Sequence, residues 1–253
     1  MGNFNKEGRQ KLWQKYSKEI PQDNYSLSFS CILGSFYPAS EVMVTKVYDL
    51  LDFNWNTTNN SNSGWSCCSG IGYHGDIMPI EATILTVARL WSLAQEASVE
   101  VITPTCVTSF GVHCECKDLL EHDLDLRNRI ARVLDKTCGR KLNIPEHIIH
   151  VSDVYYRHRN RLKQHFKYDL TEKKTSRPLR VVDHVGCHYS KLFPIHHSYG
   201  GSEYCEVLAG MVRSWGGENI DYPERRHCCG MGFRQCMISP NRGSTLSSVY
   251  KKM

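Results

Sequence analysis

Two adjacent cysteine pairs, each followed by glycine and small residues, constrain this chain more than any other feature. "GWSCCSGIGYHG" spans 64–75 and "RRHCCGMGFRQC" spans 225–236. Neighbouring Cα atoms lie about 3.8 Å apart, short of the usual range for a disulfide. Two thiols held side by side suit a shared metal or cluster better. Each pair also has an upstream cysteine: Cys31 precedes Cys67 by 36 positions and Cys187 precedes Cys228 by 41. The fold must therefore gather cysteines from distant segments, and do so twice.

The chain has 253 residues and 12 cysteines. In a reducing compartment, clustered cysteines bind metal or do redox work rather than pair as disulfides. Cys138 and Cys205 stand apart from the pairs and read as buried single thiols acting as small hydrophobes. A formal net charge of +5 is too small to argue for nucleic acid. No run of 18 apolar residues exists, so no transmembrane helix is expected. The polar start "MGNFNKEGRQKLWQKYSKEI" lacks an apolar signal core, and Lys6 argues against myristoylation. The expected location is cytoplasmic.

Residues 1–24 read as a polar, amphipathic extension. "YSLSFSCIL" (25–33) reads as a strand ending near Cys31. "PASEVMVTKVYDLLDF" carries Val44, Val47, Tyr48 and Leu51 at helical spacing after Pro38 and Ser40. "NWNTTNNSNSGWS" has loop composition. "IMPIEATILTVARLWSLAQEA" is a helix, and "VEVITPTC" (99–106) is a buried strand that delivers Cys106. One long helix is expected to about residue 137, then a strand or strand-to-helix element at "HIIHVSDVYY". The basic stretch 157–178 reads as a helix plus linker. "LRVVDHVGC" (179–187) reads as a strand ending at Cys187, followed by a helix from Ser202 to Gly216 and a short strand at "ENIDYP".

The order strand, Cys, helix, strand or loop, Cys-Cys, helix thus occurs twice. The expected fold is α/β: two pseudo-symmetric Rossmann-like modules from an internal duplication, each with a cysteine cluster at the C-terminal edge of its strands, where open α/β sheets bind ligands. The expected organisation is a 1–24 extension, a first cysteine-rich module at 25–156, a basic linker at 157–178 and a second, truncated module at 179–253.

The motif Cys31-x35-Cys67-Cys68-x37-Cys106, with "RVVDHVGCHYSKLFP" and "YPERRHCCGMGF", resembles the duplicated cysteine-rich CCG modules of the heterodisulfide reductase B-subunit family. The resemblance covers roughly residues 25–253. It implies non-cubane 4Fe-4S clusters, up to two, held by Cys31, Cys67, Cys68 and Cys106 and by Cys187, Cys228 and Cys229. It further implies reductive cleavage of a small-molecule disulfide, or its reverse. The partners it implies are a ferredoxin-like subunit of the C type and a flavoprotein subunit of the A type. Soft thiolates are the ligands such clusters need. Glycine after a cysteine pair lets backbone approach them closely. No CxxCxxC ferredoxin motif is present, which favours this subunit type over larger relatives that carry their own ferredoxin domain.

The chain departs from the family where a module should close with CxxC: the first has Cys106-Val107-Thr108-Ser109. Cys114 and Cys116 are nearby substitutes. Four thiolates would also suit a tetrahedral zinc ion in this module. The second module lacks a closing CxxC, with Cys236 out of place for that role. His188 is the candidate proton donor to a departing thiolate, against a purely structural role. His74, Arg225, Arg226 and His227 offer charge compensation near a cluster, a contact for an anionic disulfide substrate or ordinary solvated surface charge. The basic run of Arg157, Arg159, Arg161, Lys163 and Lys167 is a solvated face, a dock for an acidic partner or a peripheral membrane contact. Trp55, Trp65 and Trp91 read as packing residues, with Trp65 placed to shield the first cluster. Two other functions remain open: an electron-transfer or anchor subunit of an atypical succinate or fumarate reductase, and a zinc-binding relative without redox activity.

Overall fold

The computed structural model describes residues 17–56, 68–173, 175–190 and 205–226. The chain divides into two compact units, one of Glu19–His150 and one of Met1–Lys18 with Val151–Met253.

The first unit is built on β1 (Tyr25–Ser28), β2 (Trp55–Asn56), β3 (Val101–Pro104) and β4 (His147–Ile148), in the order β2-β1-β3-β4. All three pairings are parallel. Every residue of β1 and β3 is buried, as expected of central strands covered on both faces. The helices are α1 (Cys31–Phe36), α2 (Pro38–Leu50), α3 (Gly70–His74), α4 (Ile80–Glu96), α5 (Val107–His122) and α6 (Leu124–Cys138). From β1 the chain runs outward to β2, then returns across β1 to β3 and β4. The order therefore reverses between β1 and β3, and a crevice opens at their C-terminal ends.

Three elements differ from the sequence reading, each for a local reason. The strand expected over 25–33 stops at Ser28, because Ser30 adopts an extended N-cap whose side chain accepts from Leu33 N. Cys31 therefore opens a helix rather than closing a strand. The long helix expected to residue 137 is two helices. Asp123 breaks it with extended φ/ψ of −113° and 97°, and its carboxylate caps α6 through Leu126 N at 2.8 Å. The Asn-rich loop contains β2, whose Trp55 donates its indole N–H to Asp49 at 2.8 Å. Tyr25, Tyr48 and Phe53 close this side of the core with edge-to-face contacts at centroid distances of 5.1–5.6 Å.

The second unit contains α7 (Val151–Arg157), α8 (Arg159–Gln164), β5 (Arg180–Val181), α9 (Cys187–Ser190), α10 (Val207–Ser214), β6 (Glu218–Asn219) and a 3-10 turn at Pro223–Arg226. β5 and β6 pair in parallel, with α9 and α10 as the described helices on the path between them. The strand expected over 179–187 is two residues long, and Cys187 begins a helix. The expected helix start at Ser202 lies outside the described residues.

The head of the basic run is packing material rather than a free face. Arg157 donates to Ser17 O at 3.1 Å, and Arg159 lies over the Tyr156 ring while donating to Ser214 Oγ at 3.1 Å. Leu162 is buried, and Phe166 packs edge-on to Trp215 at 5.1 Å. Cys205 is buried as expected, but Cys138 is exposed at the end of α6, so its reading as a buried thiol is corrected. Trp91 is buried as expected. The chain is an α/β protein with parallel sheets, and no helix among the described residues is long and apolar enough to cross a membrane.

Candidate metal centre

The crevice between β1 and β3 fixes the first group of cysteines. Beyond Ser28 and Pro104, the last paired residues, the two strands stay tied. Thr105 N donates to Ser28 O at 3.1 Å and Thr105 Oγ1 donates to the same oxygen at 3.2 Å. One pleat earlier, the Thr103 hydroxyl donates to Ser26 O. This clamp sets Cys31, first residue of α1, beside Cys106, the N-cap of α5. The N-terminal end of a 16-residue helix favours negative charge next to it, as a ligating thiolate carries.

Cys68 reaches the same place from the loop before α3. Ser69 adopts a left-handed conformation (φ 59°), which turns the chain so that Gly70 N points back at the Cys68 sulfur, 3.4 Å away. Gly70 is required here by space. A Cβ at this position would lie 2.9 Å from Val112 Cγ2 and 3.3 Å from Cys68 Sγ. Tyr73 secures α3 to α5 by donating to Glu115 at 2.7 Å, and its phenol is pushed up to about 12, by burial first and then by Glu115.

Cys31, Cys68 and Cys106 line one small cavity together with Ser30, Ile71, Thr108 and Ser109. It holds about 210 Å³ not filled by atoms, part of it open solvent. Ser109 Oγ is buried there and has no hydrogen-bond partner. A set of soft sulfur donors with one unpaired hydroxyl, a backbone N–H on one sulfur and a glycine that keeps the wall thin is chemically suited to a thiolate-bound metal centre. Among the described residues no group of three or more His, Cys, Asp or Glu side chains is arranged to hold a metal ion, although three cysteines line this cavity. The expected fourth thiol, Cys67, lies outside the described residues, as do Cys228, Cys229, Cys236, His227 and Trp65.

The substitutes Cys114 and Cys116 do not line this cavity. Both are fully buried in α5, and burial pushes the Cys116 thiol up, which makes it a poor thiolate. His74 is half-buried and its imidazole is held below the usual value by desolvation.

No family model matches the chain. It is 24% identical, over an alignment of 247 residues, to the B subunit of ferredoxin:CoB-CoM heterodisulfide reductase from Methanosarcina acetivorans, spanning 94% of this chain and 74% of that protein. Over almost its whole length the chain is similar to a heterodisulfide reductase B subunit. The match is to a heterodisulfide reductase, and it favours neither the succinate or fumarate reductase reading nor the zinc reading.

In the second unit Cys187 stands in a similar setting to Cys31: it follows β5 and opens α9, half-buried, with His188 next to it. A buried ionic cluster, which no sequence periodicity announces, lies in the same unit. Arg225 Nη2 donates to Asp183 Oδ2 at 3.0 Å and to Cys205 O at 3.1 Å, and Asn219 donates to Asp183 Oδ1 at 2.7 Å. Asp221 lies 3.7 Å from Arg225 Nη1. The expectation of a solvated Arg225 is therefore corrected: its charge is spent on Asp183. Tyr189, buried, donates to Asp153 at 2.6 Å. Desolvation first and Asp153 second hold its phenol far above the usual range, so it stays protonated.

Proposed function

We propose that this protein is a B-type subunit that performs thiol–disulfide redox chemistry at iron–sulfur centres bound by its own cysteines. The observation that carries the reading is the cavity shared by Cys31, Cys68 and Cys106 at the crevice between β1 and β3. In the proposed arrangement Cys67 completes the first set, and Cys187, Cys228 and Cys229 form the second. A bound iron–sulfur cluster of the non-cubane 4Fe-4S type would supply one-electron redox capacity and soft metal sites for sulfur.

The chain's own residues do the rest. The Thr105–Ser28 clamp holds Cys31 and Cys106 in register, and Gly70 N donates to the Cys68 sulfur and favours its anionic form. Ile71, half-buried, and Thr108, buried, line the cavity and limit the access of water to it. His188 supplies a proton to a departing thiolate, a role supported by its place directly after Cys187. The two cysteine modules, 25–156 and 179–253, are read as a duplication; in support, β1 leads to Cys31 as β5 leads to Cys187, and both sheets are parallel. The relative's name makes it one subunit of a larger enzyme that uses ferredoxin. By extension this chain takes electrons from a ferredoxin-like subunit and works with a flavoprotein subunit in the cytoplasm.

The test uses the full chain loaded with iron and sulfide without oxygen, a reduced viologen as electron donor and a small-molecule heterodisulfide. The expected result is release of two thiols per disulfide, lost in Cys31→Ala, Cys68→Ala and Cys106→Ala and kept in Cys138→Ala. Disulfide consumption no faster than in buffer, by a chain carrying its full iron, would overturn the reading.

A further inference from the structure

Ser109 stands in the first turn of α5, three residues after Cys106, so both face the same side of the helix start. A serine or threonine inside a helix ordinarily returns its hydroxyl to the carbonyl four residues back. Thr86 does so to Ala82 O at 3.0 Å, and Thr137 to Val133 O at 2.7 Å. Ser109 does not. Its Oγ is buried and unpartnered, in a residue only 2% exposed that lines the same cavity as Cys31, Cys68 and Cys106.

A hydroxyl so placed is matched to an occupant that can take an oxygen donor. An apolar occupant would leave it unsatisfied. An ordered water needs two to four polar partners, and besides Ser109 the lining offers only the hydroxyls of Thr108 and of Ser30, which already accepts from Leu33 N, among its sulfur-bearing and apolar residues. A metal ion already held by thiolates meets the requirement, because its remaining coordination site accepts oxygen as well as sulfur.

We propose that Ser109 Oγ is a direct ligand of one metal ion in the centre held by Cys31, Cys68 and Cys106. The inference rests on the proposed function above, that this cavity holds iron. On binding, the Ser109 O–H bond breaks, the proton passes to water, and the oxygen pair forms the metal–oxygen bond; no electron is gained or lost. The centre then has a mixed shell of soft thiolates and one hard, basic oxygen. That oxygen makes one iron distinct from its neighbours, and it is the first ligand that acid would displace.

The test is Mössbauer spectroscopy of the full chain loaded with ⁵⁷Fe and sulfide, comparing wild type, Ser109→Ala and Ser109→Cys. The expected wild-type spectrum contains one iron subsite with a higher isomer shift than its sulfur-ligated neighbours. In S109C that subsite falls into line with the others while the iron count is kept, because a thiolate replaces the oxygen. In S109A it disappears and the chain loses iron more readily to a chelator. S109C is nearly isosteric, so it keeps the test open if S109A fails to fold. A wild type that loads iron but gives the same spectrum and chelator resistance as S109A and S109C overturns this inference alone. A wild type that takes up no iron overturns it together with the proposed function.

Discussion

Thr105 and Ser28 join the C-terminal ends of β3 and β1 by two hydrogen bonds to one oxygen, from Thr105 N at 3.1 Å and from Thr105 Oγ1 at 3.2 Å. The next residue on one side is the N-cap Cys106, and three residues beyond Ser28 stands Cys31. The clamp therefore holds two cysteines in place without touching either. Thr105→Val keeps the shape and the backbone bond and removes only the hydroxyl. Ser28 O keeps one donor, so the expected loss is about 1 kcal/mol of unfolding free energy, with faster loss of bound iron. Denaturant titration and chelator kinetics check both parts.

Gly70→Ala is expected to be more damaging than its size suggests. The added methyl would meet Val112 at 2.9 Å and the Cys68 sulfur at 3.3 Å. Either α3 moves off α5 or Cys68 moves out of the cavity. The expected outcome is a stability loss of roughly 1–3 kcal/mol together with reduced iron uptake. Gly139→Ala, where nothing lies within 4 Å and only the positive φ of 62° is strained, should lower stability without affecting iron.

Acid should weaken the first unit before its carboxylates are protonated. Desolvation holds His113 down to about 3 and His150 down to about 4, against about 6.5 in an unfolded chain. Unfolding then takes up protons between these values. Stability is full above about pH 6.5 and falls as pH drops toward 4, and it levels off only below the folded values. His113 accepts the Trp91 indole N–H at 2.9 Å on Nδ1, a role that the amide oxygen of His113→Gln can take over. H113Q should show a shallower fall in the denaturant midpoint between pH 6.5 and 4.5. Parallel curves for the two proteins would contradict the assignment.

Much of this arrangement is legible in the sequence, and the exceptions are instructive. The β-branched run before Cys106 marks a buried strand, and Trp91 marks a core helix. Their signals are local, and their packing agrees with them. β2 escapes a sequence reading because two residues in an Asn-rich loop carry no period; they become a strand only when β1 offers an edge. The break at Asp123 escapes it because a capping carboxylate inside a continuous apolar period looks like surface charge. Spacing alone makes Cys31, Cys68 and Cys106 partners, and the structure brings them to one cavity. Spacing cannot supply the clamp at Thr105, the bare hydroxyl of Ser109 or the burial of Arg225, since each depends on contacts between residues remote in sequence.

That Arg225 cluster gives a prediction for the second unit. Asp183→Asn leaves the guanidinium buried beside a neutral amide, with Asp221 at 3.7 Å and the charge of Glu206 in partial compensation. The expected loss is about 3–5 kcal/mol, the usual consequence of removing one partner of a buried pair. Adding Arg225→Leu to Asp183→Asn should recover part of it, because the uncompensated charge is then gone. A double-mutant cycle followed by denaturant unfolding measures the coupling.

Whether these cysteines hold iron and sulfide is tested most directly by metal and acid-labile sulfide per chain in protein purified without oxygen. Iron and sulfide are predicted in matching amounts, reduced in Cys31→Ala, Cys68→Ala and Cys106→Ala and unchanged in Cys138→Ala. Zinc alone, persisting after reconstitution with iron and sulfide, would contradict an iron–sulfur centre at this site.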